Sequence, residues 1–383
     1  MRIVVATSSF PTQPDEAVNA GVFVWAVVDA LQTQGHSVWV LTPDKGEPVH
    51  GFPMPVETFR WAGDEKVLTR LSPRRLPDLY RLGRLMAGGR GSLARLVRRI
   101  QADAVLAMWA VPSGFWAAGS GVPFAVWALG SDIWGIGRYP LGKQIVRSVL
   151  RSAGHVFADG YNLVDDIHGL TRRPAEFLAS ARNLPVGSTP AASLPAPGPH
   201  YLFIGRWDLA KGADVLLEAM ALLRHQLPGA HLHLFGGGVM AEALRRRASQ
   251  TDLRDRVRVY GYADPSSATA YLKACDALVI PSRIESIPVI YSDALACRCP
   301  VVATAVGDMP RLIQEHQVGV LCPPEDPQAL AGAMASIVES GSPRETYRAA
   351  IERTAPLFSA ARSAERCAEV LSALARSRFR ETA

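Results

Sequence analysis

Cysteine is scarce in this 383-residue chain: Cys275, Cys297, Cys299, Cys322 and Cys367 are an odd set of five, all in the second half. That excludes a disulfide framework and fits a reducing compartment. Cys297 and Cys299 lack two further ligands at zinc spacing, so no metal site is read from them. Charge is also modest, 20% of residues against 48% apolar, which excludes wholesale disorder and leaves material for the cores of two domains. Gly and Pro are scattered without period, so the chain is neither collagen-like nor of low complexity. Two phosphate-binding fingerprints are missing. The first apolar run passes into Thr7-Ser8-Ser9-Phe10-Pro11 with no G-x-G-x-x-G, and no G-x-x-x-x-G-K-[ST] occurs anywhere.

Residues 104–131 carry no charged side chain and are long enough to span a bilayer. Pro112-Ser113-Gly114 and the Gly119 to Pro123 stretch cut the run, so a strand, a short helix and a second strand are predicted in place of a membrane helix. Met1-Arg2 leads at once into Ile3-Val4-Val5-Ala6, read as a buried strand and not as a leader; the expected location is cytoplasmic.

The positive charge is concentrated. Lys66, Arg70, Arg74, Arg75, Arg81, Arg84, Arg90, Arg95, Arg98 and Arg99 face a single acid, Asp78, so residues 66–99 hold +9 where the whole chain holds +6. Leu71, Leu76, Leu79, Leu82, Leu85, Leu93 and Leu96 interleave with them, which predicts amphipathic helices with basic outer faces. Such a face is either a solvated surface or a contact for anionic lipid headgroups or a phosphate-bearing substrate. Nucleic acid is not expected as a partner, because aromatic platforms for bases are absent there.

Apolar runs at 2–8, 37–42, 103–109, 123–129 and 155–159 alternate with helical patterns at about 20–34, 78–99 and 140–152. The second half repeats the scheme: strands at 201–204, 232–235, 257–260, 277–280, 301–304 and 320–322, helices at about 211–226, 240–250, 266–274, 288–298, 308–314 and 327–339. Strict alternation with unbroken apolar strands predicts an α/β protein of parallel sheets covered on both faces. Residues 185–199, with five prolines, two glycines and no charge, read as a linker. The expected organisation is two facing Rossmann-like domains, 1–184 and 200–355, with a ligand cleft between them. A last helix in 356–383, with Ala361, Ala364, Cys367, Ala368, Leu371 and Leu374 on one face, is expected to pack back toward the first domain.

Chemistry collects on successive βα units of the second half. Gly205-Arg206 and Lys211-Gly212 follow one strand; a guanidinium fork and a point charge at a strand's carboxyl end suit a diphosphate. Gly236-Gly237-Gly238 ends the next strand, where missing side chains admit a ring or a ribose. Glu285-Ser286-Ile287-Pro288-Val289 leads into a helix, so amides after Glu285 are expected to face the cleft, and Asp293, eight positions on, gives a second acid for gripping hydroxyls. In the first half, the wide loop ending at Ala20-Gly21 offers amides to an anion at a helix start.

In this order the segments resemble the retaining glycosyltransferases of family 4, which have the GT-B fold. The resemblance is carried by Gly205-Arg206 with Lys211-Gly212, Gly236 to Gly238, Tyr260-Gly261-Tyr262, Cys275-Asp276-Ala277 before Pro281-Ser282, and Glu285-x7-Asp293-Ala294-Leu295-Ala296. Pro300 to Thr304, Gly307 and Asp326-Pro327 continue it. Before residue 200 it is thinner: Ala20-Gly21, Gly35-His36-Ser37-Val38 and Gly130-Ser131-Asp132-Ile133.

The resemblance implies a UDP- or GDP-linked sugar as donor and no cofactor or metal. Arg206 and Lys211 would bind the diphosphate, with the Gly21 loop. Glu285 and the backbone through Ser286, Ile287, Pro288 and Val289 would hold the sugar, Asp293 the ribose, and Tyr262 would lie near the base. Arg206, Lys211 and Glu285 would be the catalytic set, and Gly130, Ser131 and Asp132 would lie on the acceptor and sugar side. Three positions depart from the pattern: Asp293 where a second Glu is usual, Leu129 where many members have His, and Arg311 where Glu is common.

The expected reaction is hexosyl transfer with retention to a sugar or lipid-linked acceptor, in bacterial glycan, glycolipid or polysaccharide synthesis, with the enzyme peripheral on the inner membrane face. Two alternatives stay open: a degenerate nucleotide-sugar-binding protein or partner subunit, and a sugar-nucleotide epimerase of the same fold.

Overall fold

A strand buried on both faces needs apolar side chains at every position, and a parallel sheet imposes that on its central strands. The computed structural model describes residues 1–14, 16, 21–63, 71, 75–195, 197–339 and 341–382. Ala20, Lys66, Arg70 and Arg74 lie outside the described residues. Two compact units form: residues Met1–Arg182 with Ala360–Ala383, and Asn183–Ser359.

The first unit runs β1 (Arg2–Thr7), α1 (Val22–Thr33), β2 (Ser37–Pro43), β3 (Val56–Phe59), α2 (Leu76–Ile100), β4 (Ala104–Met108) and α3 (Phe115–Ala117). It continues through β5 (Phe124–Ala128), α4 (Pro140–Ser152), β6 (His155–Ala158), α5 (Tyr161–Thr171) and β7 (Glu176–Phe177). Its seven strands lie in the order β3-β2-β1-β4-β5-β6-β7, all parallel. Every residue of β4 and β5 is buried. Side chains alternate between the faces. Ile3 and Val5 pack with Val24, Val28 and Leu31 of α1, whereas Val4 and Ala6 pack with Leu85, Leu93 and Leu96 of α2 and Val146 and Leu150 of α4.

The second unit runs β8 (His200–Arg206), α6 (Ala213–Leu223), β9 (His231–Gly237), α7 (Ala241–Ala248), β10 (Val257–Val259), α8 (Pro265–Ala274) and β11 (Ala277–Ile280). Then come α9 (Val289–Ala296), β12 (Val301–Thr304), α10 (Met309–His316), β13 (Gly319–Cys322), α11 (Pro327–Val338) and α12 (Pro343–Thr354). Strand order is β10-β9-β8-β11-β12-β13, again parallel. The uncharged proline-rich stretch groups with this unit: Ala192 N–H donates to Ala270 O at 2.9 Å and Lys273 Nζ to Thr189 O at 2.6 Å. From α12, Arg344 donates to the carbonyls of Leu272 (3.0 Å), Cys275 (2.9 Å) and Cys297 (2.6 Å), satisfying groups at the carboxyl ends of α8 and α9.

The last helix, α13 (Ala360–Thr382), belongs to the first unit. Ala364, Cys367 and Leu371 join the face that α1 covers. Ser363 Oγ donates to Ala179 O at 2.8 Å, and Arg366 grips Glu176 with Nε at 2.7 Å and Nη2 at 3.1 Å. Ala361 departs from the expected stripe: it is exposed, although Ala360, Ser363 and Ala364 around it are buried.

Other differences have plain causes. The strands β3 and β7 are short edge strands, and α5 and α12 lack a strong apolar run, so none stood out in the sequence. The leucine-arginine segment is one helix from Leu76; Asp78 is buried in its first turn, and its buried apolar stripe begins at Leu85. Leu76 and Leu79, expected on the apolar side, are exposed with Tyr80, while Asp78 between them is buried.

Leu371 is fully buried, so Leu371→Ala is expected to cost the first unit about 2–5 kcal/mol of unfolding free energy, while Ala361→Ser leaves it unchanged. Denaturant melts of both variants check this. Equal melts for Leu371→Ala and wild type would show that α13 adds nothing to that core.

Candidate functional site

In an open parallel sheet, ligands bind beyond the carboxyl ends of the strands where the strand order reverses. The second sheet reverses between β8 and β11, the first between β1 and β4.

At the β8 end, Arg206 is the last strand residue; its side chain is 71% exposed and pairs with Asp208 at 3.1 Å. Asp208 Oδ1 also accepts from Lys211 N–H at 3.2 Å, closing the turn that presents Lys211. Gly212 then takes φ +68°, and a Cβ there would lie 1.9 Å from Pro281 O. Only glycine lets this turn sit against the loop after β11. The result is a direct ion pair between Lys211 Nζ and Glu285 Oε2, with Ser282 Oγ donating to the same oxygen at 3.2 Å. Both partners are largely buried, with side-chain exposures of 21% and 11%.

The loop holding Glu285 is backed by the one after β12. Gly307 has φ +56°, and a Cβ would lie 1.9 Å from Glu285 O. Ser286 Oγ donates to Asp308 Oδ2 at 3.1 Å, and Asp308 is buried. Ile287 is buried, and Pro288 stands immediately before α9 as its cap, so the helix begins at Val289 and not at Pro288. Asp293 lies in the body of α9 and is buried. Its charge adds to burial in pushing the Cys297 thiol up to about 12.

The glycine run has a reason within the chain. Gly205 and Gly236 are register partners across β8 and β9, and a Cβ on Gly236 would lie 1.9 Å from Gly205 O. Gly237 lies beneath the Tyr262 ring, which is half-exposed; a Cβ there would come within 2.8 Å of it. Thus the structure joins Lys211 with Glu285, Gly205 with Gly236, and Gly237 with Tyr262. Sequence reasoning counted Ser282 and Gly307 only toward the resemblance and gave Asp308 no part in the site; their roles depend on loops from different βα units meeting.

Gly21, Gly130, Ser131 and Asp132 belong to the first unit. Gly21 precedes α1 with Ser9 O and Phe10 Cα so close that a Cβ would fall within 2.7 Å of each. Ser131 is exposed. Asp132 is buried and ties two strand ends together: Ala110 N–H donates to its carboxylate at 2.5 Å and Leu129 N–H at 3.2 Å. Burial outweighs those amides and pushes the Asp132 carboxyl up to about 6.

A carboxyl whose folded pKa is raised stabilises the fold most when protonated. Stability should therefore fall as pH rises from about 4 toward the folded value of about 6. Asp132→Asn is expected to remove that part of the pH dependence of the melting temperature. A wild-type slope over this window that survives unchanged in the variant would disprove the assignment.

Comparison with known proteins places these features. A D-inositol 3-phosphate glycosyltransferase of Jonesia denitrificans is 33% identical over 175 residues, 44% of this chain and 41% of that protein. A glycogen synthase of Mycobacterium tuberculosis is 30% identical over 165 residues, 43% of this chain and 40% of that one. The chain spans about two fifths of the length of the curated relatives it matches. Among solved structures, sucrose-phosphate synthase from Thermosynechococcus elongatus aligns with a TM-score of 0.79 at 19% identity, covering 98% of this chain and 100% of that one. Anabaena HepE in complex with UDP aligns with a TM-score of 0.71 at 17% identity, covering 98% and 100%. The two parallel-sheet units thus form an α/β fold of the GT-B class. Residues 191–355, which hold Arg206, Lys211 and Glu285, match the family described as Glycosyl transferases group 1.

Proposed function

We propose that this protein transfers a hexosyl group from a nucleotide diphosphate sugar to an acceptor hydroxyl, with retention at the anomeric carbon. The observation that carries it is the Lys211–Glu285 pair beside Arg206 at the reversal point of the second sheet, within the stretch matched to group 1 glycosyl transferases. Departure of the diphosphate leaves negative charge on the leaving group and an oxocarbenium-like sugar. Arg206 and Lys211 stabilise the first, and Glu285 with the following amides holds the sugar's hydroxyls. In this reading Asp293 grips the ribose and Tyr262 lies by the base, while the first unit, with the Gly21 loop and with Gly130 and Ser131 beside the anchoring Asp132, serves the phosphates and the acceptor. Attack occurs on the face the leaving phosphate vacates, with that phosphate accepting the acceptor's proton. The two cations carry the role a divalent metal fills elsewhere, so turnover in chelator is part of the proposal. Solved relatives hold UDP and UDP-glucose, which makes UDP the first nucleotide to try, with GDP beside it.

Calorimetric titration with UDP, GDP and ADP in chelator is expected to give micromolar affinity, about −8 kcal/mol, for one of them. Arg206→Ala and Lys211→Ala should each lower it by about tenfold or more, as expected for charge-assisted hydrogen bonds. Binding of none at millimolar concentration would overturn the proposal. Binding without transfer or donor hydrolysis would favour a nucleotide-sugar-binding subunit.

The acceptor is proposed to lie at a membrane surface, with the protein peripheral on its cytoplasmic side. Among the described residues no helix is long and apolar enough to cross a membrane. Instead Arg75, just before α2, and Arg84, Arg90, Arg95 and Arg98 within it are exposed, together with Leu76, Leu79 and Tyr80 at its start. Arginine charge beside apolar side chains suits an anionic headgroup layer. Co-sedimentation with vesicles containing anionic lipid is expected to be strong and to fall with added salt. Binding indifferent to lipid charge and salt would refute it.

A further inference from the structure

We propose that Arg283 is a positioning residue that locks the loop bearing Glu285 onto the turn bearing Lys211, and so sets where the diphosphate of the donor is held. The inference deepens the glycosyl-transfer reading and rests on it. Arg283 sits two residues before Glu285, in the loop after β11, and by type it could pass for a third phosphate-binding cation. Its contacts say otherwise. Nη1 donates to Asp214 Oδ1 and Nη2 to Asp214 Oδ2, both at 2.8 Å, a two-pronged grip. Nη1 also donates to Leu209 O at 2.7 Å, and Nε to Glu325 Oε1 at 2.8 Å. The guanidinium is thus matched by two carboxylates and a carbonyl, unlike the far more exposed group of Arg206.

Each of these partners belongs to an element other than its own loop. Leu209 lies in the turn that ends at Lys211, Asp214 in the first turn of α6, and Glu325 after β13. The backbone adds to the same lock, since Arg283 N–H donates to Ala210 O at 2.8 Å and Gly212 lies against Pro281 O. Glu325 holds φ +58°, an uncommon conformation for a residue with a side chain, while reaching Arg283. Burial opposes ionisation of Asp214, yet the hydrogen bonds and charge of Arg283, together with the backbone amides of Asp214 and Val215, hold its carboxyl below the usual carboxylate range. Lys211 and Glu285 come from units 74 residues apart in sequence, and their approach depends on these two segments being held together. A lysine at 283 could supply a charge but not the fork that reaches Asp214, Glu325 and Leu209 at once.

The test is a double-mutant cycle read by calorimetric titration with UDP and GDP, alongside melting temperatures. Arg283→Gln is expected to weaken nucleoside diphosphate binding about tenfold, the scale of coupling within one polar network, and Asp214→Asn to do the same. Arg283→Lys should restore only part of the loss. In a Lys211→Met background, Arg283→Gln is expected to add less than about twofold, because its effect runs through Lys211. A residue that merely supports the fold would lower affinity equally in both backgrounds, and that result overturns the proposal, as does wild-type binding by Arg283→Gln. If Arg283→Gln does not fold, the Asp214→Asn and Arg283→Lys variants carry the same cycle. A wild-type protein that binds neither nucleotide overturns the glycosyl-transfer reading itself. Wild-type binding with an unchanged Arg283→Gln variant overturns only the role of Arg283.

Discussion

Everything chemical in this protein is displaced to strand ends by one constraint: its parallel sheets are covered on both faces. Backbone pairing satisfies the strands, and their side chains must be apolar on either side, so β4, β5, β11 and β12 have no exposed position. Polar and charged groups gather where strands give way to loops. Where neighbouring strands diverge in connection, as β8 and β11 do, ligands of such sheets bind at the loops on their carboxyl ends. Arg206, the Lys211 turn and the Glu285 loop all stand there.

At those loops charge is balanced internally. Lys211 is matched by Glu285, Arg206 by Asp208, and Arg283 by Asp214 and Glu325. These pairs are not equivalent. The Arg206 pair is open to water and is therefore weak. The Lys211 pair is shielded, so removing either partner leaves a poorly solvated charge behind. An incoming diphosphate in the proposed reaction would offer Lys211 a second anion, and Glu285 would be released in part toward hydroxyls. Glycine is essential to this geometry at Gly212 and Gly307, where the backbone of one loop occupies the space a side chain would need on the next.

The first unit uses the same architecture with a different emphasis. Asp132, where charge would seem available to a ligand, joins the ends of β4 and β5 through two backbone amides. The helix α2 keeps its arginines outward and its leucines inward only from Leu85 onward, leaving an apolar and basic start. The last helix, distant in sequence, completes the face begun by α1, and Arg366 fastens it at Glu176.

How much of this was legible in the sequence follows from the range of the interactions. Unbroken apolar runs declare buried parallel strands, and Pro288 or Asp326 before an apolar-periodic stretch declares a helix start, because those preferences act within a few residues. The alternation, the two-domain class and the order of Arg206, Lys211, the glycine run and Glu285 were all readable on that basis. Short edge strands such as β3 and β7 were not, since they are defined by a neighbour's hydrogen bonds and not by their own composition. Nor could the sequence say that Lys211 meets Glu285, that Arg283 faces Asp214 and Glu325 and not a ligand, or that Asp132 is consumed in joining loops. Those outcomes are set by which strand ends become neighbours. The local sequence determined which residues reach a strand's carboxyl end, and the tertiary structure alone decided which charges met there, because pairing depends on sheet order and on backbone packing between segments far apart in the chain.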